Sequence, residues 1–109
     1  MSDETAILPR LMAVLEDRKA KRPANSYTTQ LFEGGIERIG AKIREEAEEV
    51  VEAAHQARDD DRKAVIHEAA DVIYHLLVLL AYCDVGLQDV EAELARRFGI
   101  SGLEEKASR

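Results

Sequence analysis

The chain has 109 residues, of which 46% are hydrophobic, and this size and composition fit a single compact domain spanning residues 1–109. Its 22 acidic and 15 basic residues give a formal net charge of −7. A sequence-independent nucleic-acid binder needs a positive field, so we expect no DNA or RNA partner. A phosphorylated ligand bridged by divalent cations is compatible with this charge.

The sequence predicts a cytoplasmic protein without a membrane partner. Its first residues lack the basic and apolar regions of a signal peptide. The most apolar run, residues 72–83, is too short to span a bilayer. Cys83 lies in that run and is predicted to be buried. Because so short a chain buries little of its own surface, pairing with a second copy would hide more apolar area, and we also expect an oligomer.

The helical pattern begins near the N-terminus. Apolar residues recur at helical spacing over residues 5–19, and Pro9 falls in the first turn, where its missing N–H costs little. Residues 19–35 hold a short basic loop and then the Ser26-Tyr27-Thr28 element, which predicts a capped short helix ended by Gly34 and Gly35.

Three further helices are predicted, over residues 36–58, 62–84 and 88–98, followed by a tail at residues 99–109. No run of alternating β-branched residues indicates a strand. The predicted fold is therefore an all-α bundle. Two long helices that pack antiparallel would be flanked by shorter ones.

Acidic residues border the predicted core on both long helices. On a helical wheel, Glu46 and Glu49 lie at the edge of the apolar stripe of the second helix. The third helix is apolar nearly all round and is predicted to be buried on most sides. Glu68 and Asp71 nevertheless share one stripe there with His75.

These two acidic pairs predict a metal site. If the helices pack antiparallel, Glu46 and Glu49 can meet Glu68 and Asp71. Two like charges at ~4 Å repel by about 4 kcal/mol at an effective dielectric of ~20, so protons or cations must lie among them. Such oxygen ligands suit Mg²⁺, with Mn²⁺ as a substitute. A di-iron site is rejected because it needs Glu-x-x-His twice, whereas the second acidic pair here is Glu68-x-x-Asp71.

The plainer interpretation is that these acids only solvate helix faces. On this interpretation the chain is a non-catalytic dimerisation module, and the stretch of residues 45–49 taken alone fits that view. The pair Glu68 and Asp71 on an otherwise apolar helix favours the metal site, because unpaired buried carboxylates are costly.

The residues also resemble a known family. Glu45-Glu46-x-x-Glu49 followed by Glu68-x-x-Asp71 is similar to the signature of the all-α nucleoside-triphosphate pyrophosphohydrolases, which have the MazG-like fold. Together with Ser26-Tyr27-Thr28, Tyr74-His75 and the tail motif Arg97-x-Gly99-x-Ser101-Gly102, the pattern resembles the phosphoribosyl-ATP pyrophosphohydrolases of histidine biosynthesis. The resemblance covers roughly residues 7–109.

The resemblance implies an activity and its partners. Phosphoribosyl-ATP and water would give phosphoribosyl-AMP and pyrophosphate, with Mg²⁺ as cofactor and a homodimer as the assembly. The cyclohydrolase of the next step, to which this domain is fused in some organisms, would be a separate chain. A house-cleaning pyrophosphohydrolase of the same fold, acting on other nucleoside triphosphates, is the alternative enzyme.

Residue roles follow as expectations. The expected metal ligands are Glu46, Glu49, Glu68 and Asp71. The expected catalytic residues are Glu45, as a base candidate, Glu49, and Lys42, which either pairs with the acids or contacts a phosphate. The expected substrate contacts are Ser26, Tyr27, Thr28, Lys42, His75, Arg97, Lys106 and Arg109. Each of these contacts also has a plainer interpretation, as helix caps at residues 26–28, a core histidine at His75 and a solvated tail.

Overall fold

The computed structural model describes residues 6–56 and 62–98, and this part of the chain is built from four helices with no strand. They are α1 (Ile7–Lys21), α2 (Tyr27–Gln56), α3 (Lys63–Tyr82) and α4 (Leu87–Arg97). The all-α prediction is confirmed. The predicted tail at residues 99–109 lies outside the described residues.

The element α2 consists of two helical segments that meet at a kink at Gly35. The first segment corresponds to the predicted short helix ended by Gly34 and Gly35, and the second corresponds to the predicted long helix from residue 36. Gly35 has φ 69° and ψ −164°, a non-helical conformation that glycine adopts without the strain a side chain would introduce. A Cβ at Gly35 would also lie 3.3 Å from the Tyr82 hydroxyl of α3. Gly35 therefore ends the first helical segment and turns the chain into the second.

The bend allows two parts of α2 to contact the same helix. After it, α2 runs antiparallel to α3, with Gly35 against Tyr82 near one end and Glu49 close to Glu68 farther along. Before it, Tyr27 and Thr28 at the start of α2 reach His75 and Tyr74 in the middle of α3. Helix α1 packs against both. The buried apolar core comprises Met12, Leu15, Leu31, Phe32, Ile39, Leu77, Val78 and Ala81.

The outer face of α3 is less buried than predicted. Ile66, Ile73 and Leu76 are 64%, 42% and 44% exposed, so the prediction that α3 is buried on most sides is wrong for a single chain. By length and composition, α3 is apolar enough to cross a membrane. The buried core helix of a soluble protein passes the same test, and α3 packs along α2 while carrying Glu68 and Asp71.

The carboxyl end of α3 is held by a lysine from α1. The Lys19 ammonium donates hydrogen bonds to the carbonyls of Ala81 and Tyr82, both at 3.1 Å, and pairs with Asp84 at 2.7 Å. It thereby satisfies carbonyls that a helix end leaves without partners. Cys83, just beyond, is exposed. The prediction that it is buried is wrong, because the apolar run of α3 ends before it.

Candidate metal centre

Three carboxylates from two helices meet where α2 and α3 run side by side. Oxygens of Glu46, Glu49 and Glu68 all lie within 4.8 Å of one another. Glu46 and Glu49 are three residues apart and so share one face of α2. The antiparallel packing brings Glu68 of α3 against that face. The structure therefore brings together three of the four residues that the sequence predicted as metal ligands.

Glu46 is the most deeply placed of the three. Its side chain is only 9% exposed, and its Oε2 atom is buried without a hydrogen-bond partner among the described residues. Its other oxygen lies 3.6 Å from the Lys42 ammonium. Buried carboxylate oxygens are normally hydrogen-bonded or coordinated, so the orphaned oxygen marks the position where a cation would fit.

The pKa of Glu49 is affected by the other negative charges of this cluster. A hydrogen bond with Glu46 is the largest cause that raises the pKa of the Glu49 carboxyl above its usual 4.5. Partial desolvation and the negative charges of Glu46 and Glu68 raise it further. The raised pKa means that the Glu49 carboxyl holds its proton more tightly than an isolated glutamic acid does.

The donor set fits a hard divalent cation. All three converging groups offer carboxylate oxygens, which Mg²⁺ and Mn²⁺ prefer, and the partial exposure of Glu49 and Glu68 leaves room for water in the remaining positions. Asp71 lies at the margin of this set. Its carboxylate groups with those of Glu68 and the His67 imidazole within 4.8 Å, but not with Glu46 and Glu49.

A tyrosine–histidine pair lies beside the cluster. His75 is 5% exposed, and its Nδ1 donates to the Asp71 carbonyl at 2.8 Å because a carbonyl can only accept. In the neutral imidazole, Nε2 must then accept, so the Tyr27 hydroxyl, 2.8 Å away, donates to it. Lys42 and Glu46 both act electrostatically on Tyr27, whose pKa is raised above 10.0 chiefly by desolvation.

The neighbours of Tyr27 have structural roles. Ser26 caps α2, with its Oγ accepting a bond from the Thr29 N–H at 3.3 Å. Thr28 is buried, and its hydroxyl lies 2.5 Å from the hydroxyl of Tyr74. Of the Ser26-Tyr27-Thr28 element, only Tyr27 is largely exposed, at 44%. The structure therefore gives the helix-cap interpretation a visible basis at Ser26.

The basic residues predicted at the site are distributed unevenly. The Lys42 ammonium lies 2.6 Å from Glu45, which is itself 52% exposed and outside the converging triad. Arg97 lies on α4, where its Nε pairs with Glu93 at 3.0 Å. Lys106 and Arg109 lie outside the described residues.

One candidate ligand was missed at the sequence level. His67 stands four residues before Asp71, so both project from one face of α3, and its Nε2 lies 3.4 Å from the Asp71 carboxylate. The spacing of four was visible in the sequence. The wheel for α3 followed Glu68, Asp71 and His75 and left this neighbouring histidine out.

The fold and this cluster define an all-α protein with a carboxylate-lined candidate metal centre between its two longest helices. Comparison with known proteins narrows this class. The sequence profile of the phosphoribosyl-ATP pyrophosphohydrolases matches residues 8–98, and the chain belongs to this family.

Curated relatives agree with the profile. A protein of Rhodopirellula baltica named phosphoribosyl-ATP pyrophosphatase is 54% identical over the whole of this chain and 91% of its own length. Proteins of the same name from Roseobacter denitrificans and Geobacter sulfurreducens are 52% and 44% identical. These alignments cover 94% and 100% of this chain, and 94% and 98% of the relatives.

Proposed function

We propose that this protein hydrolyses phosphoribosyl-ATP to phosphoribosyl-AMP and pyrophosphate, the second step of histidine biosynthesis, in a Mg²⁺-dependent reaction. Family membership supports the substrate. The observation that carries the chemistry is the convergence of the Glu46, Glu49 and Glu68 carboxylates, together with a Glu46 oxygen that is buried without a hydrogen-bond partner among the described residues. A cluster this acidic would repel a triphosphate unless cations lay between them.

The carboxylates of Glu46, Glu49, Glu68 and Asp71 would hold the cation. When bound, a divalent cation supplies charge neutralisation for the leaving pyrophosphate and Lewis-acid activation of water. Glu46 offers a fixed, desolvated oxygen, whereas Glu49 and Glu68 are partly exposed. We therefore propose that Glu46 anchors the ion and that the exposed side of the cluster receives the phosphates.

Hydrolysis needs one proton acceptor. Water adds to a phosphorus of the α–β anhydride, the bond from that phosphorus to the bridging oxygen breaks, and the proton of the water passes to a base. Glu49 and Glu45 are the proposed bases, because both border the cluster and are accessible to solvent. A positioned carboxylate in this role contributes on the order of 10²–10⁴-fold to the rate.

Lys42 and Tyr27 are the proposed substrate contacts nearest to the cluster. The Lys42 ammonium lies 2.6 Å from Glu45 and 3.6 Å from Glu46. If Glu46 held a cation, Lys42 would be released from this pairing and could contact a phosphate oxygen. Tyr27 already donates its proton to His75, so its exposed oxygen can only accept, and it would contact a sugar hydroxyl or an amino group instead of a phosphate. Arg97, Lys106 and Arg109 remain proposed contacts for the extra 5′-phosphate.

The activity is tested by pyrophosphate release. Purified protein is supplied with phosphoribosyl-ATP, with ATP, and with a panel of deoxynucleoside triphosphates, each with Mg²⁺ and with EDTA. We expect release from phosphoribosyl-ATP alone, and only with Mg²⁺. Faster release from the ordinary triphosphates would support a house-cleaning enzyme of the same fold. No release from any substrate would overturn the proposal.

We also propose that the active form is a cytoplasmic homodimer, with the cyclohydrolase of the next step on a separate chain. The exposed face of α3 supports the dimer. Beside Ile73, an apolar hollow of about 280 Å³ opens between α2 and α3, lined also by Ala47, Val50, Ala69 and Val72. Burial of apolar surface is favourable by about 25 cal/mol per Å². Covering this face with a second copy would therefore stabilise the dimer.

The dimer is tested by mass in solution. Leu76→Glu places a charge in the middle of the exposed face of α3, and we expect it to convert a dimer to a monomer in sedimentation equilibrium. Ile7→Glu is the matched control, because Ile7 is also highly exposed, at 63%, but lies on α1. A dimer that survives Leu76→Glu and dissociates with Ile7→Glu would place the interface on α1.

A further inference from the structure

A second group of ligand atoms adjoins the carboxylate triad on α3. The His67 imidazole and the carboxylates of Glu68 and Asp71 each place one ligand atom within 4.8 Å of the other two. His67 Nε2 lies 3.4 Å from Asp71 Oδ2. Residues four apart on a helix project from the same face, so His67 and Asp71 can coordinate one ion without any change in the backbone.

The two groups share a residue and so form one continuous site. Glu68 belongs both to the triad with Glu46 and Glu49 and to the group with His67 and Asp71. A carboxylate has two oxygens and can bridge two positions. The Glu46 carboxylate, which belongs to the same cluster, has one oxygen buried without a described partner, and this oxygen indicates independently of His67 that the cluster receives a cation.

We propose that His67 is a metal ligand, which with Asp71 and Glu68 forms an outer position of the centre that selects transition-metal ions. This inference rests on the proposed metal centre but not on its substrate. The inner position, built from Glu46, Glu49 and Glu68, offers only oxygen, whereas the outer position offers one imidazole nitrogen and two carboxylates.

The difference in ligand type sets a difference in ion preference. Mg²⁺ takes oxygen ligands and keeps much of its water, so an imidazole contributes little to its binding. Imidazole suits Co²⁺, Ni²⁺ and Zn²⁺, whose affinities for a nitrogen-containing site exceed that of Mn²⁺. His67 should therefore strengthen binding of these ions and leave Mg²⁺ affinity nearly unchanged.

Its exposure makes His67 suitable for this role and easy to test. The His67 side chain is 73% exposed, so replacing it removes no core packing and should leave the fold intact. The same exposure allows a simpler explanation, in which His67 and Asp71 form an ordinary surface pair of the kind that contributes little to stability. The experiment must therefore read metal binding directly.

The test is isothermal titration of the full chain, purified without a histidine tag, with Co²⁺ and separately with Mg²⁺, while visible absorption follows Co²⁺ coordination. The variants are His67→Gln, Glu46→Gln and the control His55→Gln, in which an exposed histidine at the end of α2 is replaced. We expect His67→Gln to weaken Co²⁺ binding by roughly 10-fold or more and to change Mg²⁺ affinity by less than about 2-fold. His55→Gln should change neither.

The outcomes separate this inference from the proposed function. Equal Co²⁺ affinity and an equal absorption spectrum in wild type and His67→Gln would show an ordinary surface pair and overturn the inference. An equal loss with His55→Gln would show nonspecific histidine binding and also overturn it. If wild type binds no Mg²⁺ and Glu46→Gln changes nothing, the proposed centre fails, whereas the His67 comparison with Co²⁺ is still decided on its own data.

Discussion

Glu93 on α4 and Glu49 on α2 are carboxylates in opposite surroundings. Glu93 pairs with Arg96 at 2.7 Å and with Arg97 at 3.0 Å, and hydrogen bonds from these two guanidinium groups lower its pKa to about 2. Glu49 faces Glu46 and Glu68, and its pKa is raised. One carboxylate has its cations supplied by its own helix, and the other is surrounded mainly by acids.

The difference shows which region is complete without a ligand. Glu93 needs nothing from outside the chain, because two arginines within one turn satisfy it. Among the described residues, Lys42 is the cation paired with the triad, and it lies closer to Glu45 than to Glu46. The triad is therefore under-neutralised, which is the usual mark of a functional site rather than of a stabilising one.

The largest expected effect is loss of activity when the triad is broken. Glu49→Gln should reduce pyrophosphate release from phosphoribosyl-ATP by about 10²-fold or more, since metal coordination supplies several kcal/mol to the transition state and about 1.4 kcal/mol is tenfold in rate. The same variant should raise the Tm of the metal-free protein, because a repelling charge is removed. Glu48→Gln, an exposed neighbour on α2, is the matched control and should change neither quantity.

Pyrophosphate release and Tm together decide between a functional and a purely structural triad. A purely structural triad predicts the gain in Tm without any loss of turnover. A fall in Tm together with lost activity would mean that Glu49 stabilises the fold, and the interpretation of the triad as under-neutralised would then be wrong.

A smaller effect, on stability, is expected at Lys19, whose ammonium donates to carbonyls at the carboxyl end of α3. Lys19→Met should lower the free energy of unfolding by about 1–2 kcal/mol, because the carbonyls of Ala81 and Tyr82 lose a charged donor. The pairing with Asp84 adds little, since Asp84 is 86% exposed. Lys21→Met is the control, because Lys21 forms an ion pair with the exposed Asp17 and with no other acid in the described residues. Urea denaturation of both variants gives the comparison.

Equal losses in Lys19→Met and Lys21→Met would show that the contact with the end of α3 contributes nothing measurable. In that case Lys19 would resemble an ordinary surface ion pair, whatever its hydrogen-bond geometry.

Residue spacing along the helices explains how much of the fold and of the candidate site could be predicted from the sequence. Helical periodicity placed Glu46 and Glu49 at the border of the core and Glu68 on an apolar helix, and the structure brings these three together. Periodicity works here because each face of a helix follows from residue spacing alone. It also gave four of the helices nearly their observed extents.

The rest depends on how segments meet in space. The two glycines predicted the helix end at the kink, but the close approach of Gly35 to the Tyr82 hydroxyl depends on how α2 and α3 pack. The outer face of α3 looked buried because its residues are apolar, but Ile66 and Ile73 are exposed in the part of the chain that the structure describes. The orphaned oxygen of Glu46 likewise exists only in the packed structure.

The smallest expected effect is a pair of opposite pH dependences in the metal-free protein. The pKa of Glu49 is raised above 4.5 in the folded state, so the folded chain binds more protons than the unfolded chain above pH 4.5. Stability from this group is complete below that pH and falls as pH rises through the folded pKa. For Glu93, lowered from 4.5 to about 2, stability is present above pH 4.5 and is lost as pH falls toward about 2.

Urea denaturation in EDTA across this range, on wild type, Glu49→Gln and Glu93→Gln, separates the two contributions. As pH increases, the Glu93 contribution should raise the free energy of unfolding up to pH 4.5, and the Glu49 contribution should lower it above pH 4.5. Glu93→Gln should remove the first change, and Glu49→Gln should remove the second. Both changes should be modest, because solvent screens exposed groups. If both substitutions changed the pH slope of the free energy of unfolding in the same direction, Glu49 would be neutralised within the chain. The contrast between the two carboxylates would then disappear.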